Sequence, residues 1–167
     1  MGPVARFVFS IVCLCLISSC KIDEKPSLET ISLENPGPPP VFNQKQELID
    51  QGYEIFDYVD QKTGDTVLMQ QYFMAFLKSG PIRSESREEA DSLQQLHLAH
   101  LARMYEEGFA DISGPFGDDG EIRGITIYNT PTLKMADSLA NMDPMVKAGR
   151  LVIEMHPWWA AKGFPLR

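Results

Sequence analysis

Beyond residue 20 the sequence contains no cysteine, since Cys13, Cys15 and Cys20 all lie in the opening segment. A domain built from the remainder has no intrachain disulfide, so its stability must come from a packed core. Positive charge is also scarce. Lys and Arg number 15 against 23 Asp and Glu, for a formal charge of -8, which argues against a basic nucleic-acid-binding surface. There is no P-loop, no dinucleotide-type glycine fingerprint, no zinc-type pair of CxxC motifs and no internal repeat. The composition is that of an ordinary globular protein, 44% hydrophobic and 23% charged. A length of 167 residues suits one domain with appendages.

The appendage at the N-terminus carries the compartment signal. Arg6 precedes an apolar run from Phe7 to Ile17, which is short against the roughly 20 residues a spanning helix needs. The run ends in Ile17-Ser18-Ser19-Cys20, small residues before a cysteine that resemble a bacterial lipobox. Residues 1–19 are therefore expected to be a signal peptide. Cys20 is expected to be the lipidated mature N-terminus, anchoring the chain to a membrane of a bacterial cell envelope. An ordinary cleaved signal or an uncleaved anchor is the alternative. Cleavage would remove Arg6 as its only charged residue, taking -8 to -9. Residues 20–45 read as a tether, polar and acidic, with the stiff run Pro36-Gly37-Pro38-Pro39-Pro40.

Residues 46–70 suggest an added helix and β-hairpin: a short helix near Gln44 to Gln51, then an alternating arm from Tyr53 to Val59 and an apolar one from Thr66 to Met69 around Thr63-Gly64-Asp65. From residue 71 the pattern is βαββαβ. Tyr72 to Leu77 is a strand. Ser86 and Glu89 form a capping box for a helix that Gly108 ends. Phe109 to Ser113 and Ile122 to Tyr128 are strands around Gly117-Asp118-Asp119-Gly120. A second helix starts at Thr130-Pro131 and stops at Asp143-Pro144. Leu151 to His156 is the last strand, ended by Pro157. The expected architecture is α+β and ferredoxin-like: a four-stranded antiparallel sheet with two helices on one face. The other face needs cover, which a second copy stacking sheet against sheet would supply.

The stretches YFMAFLKSGPIRS (72–84), HLAHLARMYEEG (97–108), SGPFGDDGEIRG (113–124) and DPMVKAGRLVIEMHPWW (143–159) resemble, in order and spacing, the YCII-related domain. The resemblance spans residues 71–160 and leaves 161–167 as a tail. It implies a homodimeric α/β barrel related to muconolactone isomerases and dehalogenase-like enzymes. It further implies an active-site pair of one histidine from the first helix and the aspartate of the Asp-Pro dipeptide. The matching positions are His100 and Asp143.

A carboxylate beside an imidazole fixes its tautomer and suits it to proton transfer near neutral pH. His100 is thus the expected acid/base and Asp143 its partner, although an Asp–His bridge can equally pin two helices together. Arg83, His97 and Phe116 are the expected substrate contacts, with a small organic acid as ligand. Arg123 reads as a solvated surface charge, and Trp158 and Trp159 as core or dimer-interface residues. His97, His100, Glu154 and His156 lack a diagnostic metal-ligand spacing, so no metal and no cofactor is expected. Two functions remain open: an enzyme-like site for a small molecule, or a non-catalytic binding or structural lipoprotein that uses the barrel as a dimerising module.

Overall fold

The computed structural model describes residues 41–83, 86–164 and 166. The expected signal peptide, Cys20 and most of the tether lie outside the described residues. The elements run α1 (Val41–Asp50), β1 (Ile55–Val59), β2 (Thr66–Ser79), α2 (Arg87–Glu106), β3 (Ala110–Pro115), β4 (Ile122–Tyr128), α3 (Leu133–Ala140), α4 (Pro144–Lys147) and β5 (Leu151–Ala161). Among the described residues no helix is long and apolar enough to cross a membrane.

The sheet is organised on β2. One edge of this 14-residue strand pairs with β5 from Met69 to Ser79. The other edge is shared end to end, by β1 over Thr66 to Gln70 and by β4 over Phe73 to Lys78. β3 lies outside β4. The order β5-β2-β4-β3 is antiparallel at every step. With α2 joining β2 to β3, and α3 and α4 joining β4 to β5, it defines a ferredoxin-like α+β fold.

Three features differ from expectation. The sheet has five strands, because β1 joins it. The second arm of the supposed added hairpin and the first domain strand are one continuous β2, so the boundary placed at 70/71 falls within a strand. The polar pair Gln70-Gln71 looked like a break. Instead Gln70 is fully buried with both ends of its amide satisfied. Its Nε2 donates to Asn129 Oδ1 at 2.7 Å, and its Oε1 accepts from Lys162 Nζ at 2.9 Å. A buried polar group is tolerated when it is bonded in this way. Likewise α1 begins at Val41, inside the span assigned to the tether. Its Leu48 is buried, and Lys45 pairs with Asp57 of β1.

Alternation along the strands sorts the two sheet faces. Phe73, Ala75 and Leu77 of β2, Tyr128 of β4 and Leu151 of β5 form the core with Met104 of α2, Ala136 and Ala140 of α3 and Met145 of α4. Met74, Phe76, Val152, Glu154, His156 and Trp158 occupy the alternate positions. On that side Val152 is 47% and Trp158 40% exposed. β5 runs on through Pro157, which was expected to end it. Proline is compatible with an edge strand, where alternate N–H groups face away from the neighbour, and β5 pairs only with β2 among the described residues.

The first long helix follows its sequence signals. Ser86 Oγ accepts from Glu89 N at 3.1 Å, and Gly108 adopts φ 76° just past the last turn. His97, His100 and Met104 face inward, whereas Leu96 is 54% exposed. The second helix differs more. Thr132 rather than Thr130 caps α3, accepting from Met135 N at 3.2 Å. The helix ends at Ala140, and Asp143 does not close it. Asp143 caps a separate turn, α4, with Pro144 in the first helical position, where its missing N–H costs nothing.

Candidate functional site

The cap of α4 also reaches α2. Asp143 is 2% exposed and uses its oxygens for different tasks. Oδ1 accepts the backbone N–H of Met145 at 2.8 Å, and Oδ2 lies 2.6 Å from His97 Nδ1. An ionised carboxylate can only accept, so the proton of this contact sits on Nδ1. The neutral ring then carries its lone pair on Nε2, the nitrogen left to address a ligand. His97 lines a cavity of about 630 Å³ between α2 and the end of the sheet. Such a volume accommodates a small organic molecule.

The cavity is built by two close backbone approaches. Gly80 follows β2 and Gly149 precedes β5. Gly80 N donates to Arg150 O at 2.8 Å and Ile82 N to Gly149 O at 3.1 Å. A Cβ on Gly80 would sit 2.2 Å from Gly149 O, so only glycine fits. This stitch places Arg83 and Arg150 on adjoining loops. Across the sheet, a Cβ on Gly124 would lie 2.6 Å from Gly114 O. That contact holds β3 against β4, which contribute Ser113 and Arg123 to the lining.

The lining chemistry is unequal. Arg83, Arg123 and Arg150 all line the cavity, three of the seven arginines in the chain. Among the described residues no Asp or Glu lines it, although the whole chain is acidic. Arg83 Nη1 donates to the carbonyls of Gly80 and Ile82 at 2.7 and 3.0 Å, and Arg123 Nη1 to the carbonyl of Gly120 at 3.2 Å. These bonds fix the side chains without neutralising their charge. Leu77, Leu98, Leu101, Met145 and Leu151 supply an apolar wall.

Several expected roles shift. The histidine that holds Asp143 is His97, one turn before His100. His100 is buried at 5% exposure and does not line the cavity. Its Nδ1 lies 3.3 Å from Arg103 Nη2, and a guanidinium only donates. Its proton is therefore on Nε2, which is buried without a partner. Burial holds the His100 pKa below the usual histidine value. Asp143 opposes the shift, while Arg103, His97 and Lys147 reinforce it. Burial, with help from Asp143, also raises the Tyr128 pKa and keeps its hydroxyl protonated.

Arg83 and His97, expected to contact substrate, line the cavity. Arg123, read as a solvated charge, lines it too. Phe116 does not: it is 45% exposed in the loop between β3 and β4. Trp158 and Trp159 are half-exposed rather than core, stacked near Tyr72 and Phe56 at 6.2 and 5.0 Å between ring centroids. His156 bonds Glu154 at 2.9 Å on the exposed sheet face. Among the described residues no group of three His, Cys, Asp or Glu is arranged to hold a metal ion. Sequence reasoning missed Arg150, whose one signal was its place after a glycine at a strand start.

No family model and no curated protein matches the chain. One similar solved structure is 5-chloro-2-hydroxyhydroquinone dehydrochlorinase (TftG) from Burkholderia phenoliruptrix AC1100, in complex with 2,5-dihydroxybenzoquinone. The two share 20% identity over 52% of this chain and 92% of that one, with a TM-score of 0.41. The strand order of this chain itself defines its ferredoxin-like fold.

The state of His100 has a measurable consequence. Its folded pKa lies below the ordinary 6.5, so the unfolded chain binds the proton more readily. The stabilisation is complete above pH 6.5 and is lost as pH falls through that value towards the depressed folded pKa. His100→Leu removes both the titration and the unpaired donor, whose burial costs about 1–3 kcal/mol. Urea unfolding from about pH 8 to pH 5 should show a shallower pH slope for the variant, with stability at pH 8 within about 1 kcal/mol of the parent or above it.

Proposed function

We propose that this chain is a lipid-anchored bacterial envelope protein whose domain, akin to the YCII-related proteins, binds a small organic acid and moves a proton on it with His97. The observation that carries this reading is the 2.6 Å contact between His97 Nδ1 and Asp143 at the wall of an arginine-lined cavity. Asp143 fixes the tautomer, and His97 Nε2 takes up a proton from the ligand and returns it. The imidazolium formed in between is stabilised by the carboxylate behind it. The arginines hold the ligand's acid group, and the leucines and Met145 take its apolar part. Asp143 works through His97 and is a positioning residue.

The kinship rests on the four matching stretches together with the βαββαβ order. In this reading the exposed sheet face is where a second copy stacks to close a barrel. Cys20 carries the lipid, and the residues behind it hold the domain off the membrane.

Three experiments bear on these points. In D2O, NMR of a panel of small keto and hydroxy acids should reveal exchange of a carbon-bound proton catalysed by the protein. His97→Gln should slow that exchange by about a hundredfold or more. Asp143→Asn should slow it too while keeping α4, because asparagine caps as well as aspartate. Exchange unaffected by both variants, or absent from the whole panel, would make the pair a pin between α2 and α4 and leave a binding lipoprotein.

Light scattering should give a dimer for the parent. Val152→Lys, at an exposed position that the single subunit tolerates, should give a monomer. Cys20→Ser should move the protein from the membrane fraction to the soluble fraction, since the anchor is the acyl chains.

A further inference from the structure

Arg150 directly precedes β5 and Arg123 is the second residue of β4, the two strands that flank the end of β2. The pairings Leu151 with Ser79, Gly124 with Leu77 and Ile122 with Lys78 put Arg150 level with Gly80 and Arg123 at the Leu77/Lys78 bulge, on opposite sides of that strand and two to three residues apart along it. Two strand spacings across, with that offset along the strand, separate their backbones by about 12 Å. Arg83 joins the Arg150 side, because its loop is bonded to Gly149. The floor between the two sides is Leu77, with Leu151 and Gly124 beside it. Positive charge therefore stands at both ends of an apolar floor, in a cavity that no described carboxylate lines.

We infer that the ligand is a diacid: two anionic groups separated by a short apolar spacer, one on Arg83 and the other on Arg123. A monoacid would engage only one of Arg83 and Arg123. A compact dianion would reach only one of the two sides. The inference rests on the reading of the cavity as an acid-binding site and specifies which acids it takes.

The test is calorimetric titration of the full chain with glutarate, pentanoate and inorganic phosphate at low salt. Glutarate and pentanoate have the same carbon count and differ in the second acid group. Glutarate should bind at least about tenfold more tightly than pentanoate, and more tightly than phosphate. Arg123→Gln and Arg83→Gln should each bring glutarate down to about the pentanoate level. Arg87→Gln, on the exposed start of α2, should change nothing, and thermal melting of each variant checks the fold.

Equal affinity for glutarate and pentanoate would overturn the diacid inference and leave an acid site in place. Phosphate binding as tightly as glutarate would overturn the separated geometry. Failure of all three to bind would overturn both the inference and the acid-site reading. Proton transfer is read separately, because glutarate affinity that survives His97→Gln keeps the inference whether or not turnover is found.

Discussion

The constraint on which the rest of the structure depends is the double pairing of β2. A strand of 14 residues bonded along both edges carries β5 on one side and β1 and β4 on the other. Every other strand except β3 takes its register from it. Its central side chains Phe73, Ala75 and Leu77 form the middle of the core. Its last residues lead into Gly80, whose approach to Gly149 locks the loops that bear Arg83 and Arg150. The cavity sits where this spine ends, so site geometry follows directly from sheet register. Without a disulfide among the described residues, such a register must be kept by hydrogen bonds and apolar packing alone.

Much of this was legible in the sequence where the signal is local. The capping box at Ser86 and Glu89, the glycine after α2, and the bounds of β4 are set by side chains that bond or pack within a few residues of themselves. The misread places are those where distant contacts decide. Gln70-Gln71 interrupts an apolar pattern, and it is pairing with β1 and β5, with Asn129 and Lys162 satisfying the buried Gln70 amide, that makes it part of a strand. Pro144 is equally at home after one helix or at the first position of another. The hydrogen bond from Met145 to Asp143 selects the second.

The histidine pair shows the same limit at the site. His97 and His100 are three residues apart, within a single inward stripe, and both are buried. Periodicity therefore marks both as core-facing and cannot say which meets Asp143. The placement of α4 against α2 decides, and it favours His97. Arg123 was equally undetermined. An arginine beside a turn looks solvated until β3, drawn close to β4 at the Gly114–Gly124 contact, closes one side of a cavity around it.

Pro157 has a consequence for how this protein can associate. Its strand is an edge, and an edge normally offers a row of outward N–H donors on which another chain can extend the sheet. A proline in mid-strand has no donor to give, and its ring obstructs close approach from that side. A continuous new ladder cannot grow along β5. The β5 rim is thereby guarded against edge-to-edge, fibril-like growth, and a partner approaching from that side is directed to the flat of the sheet.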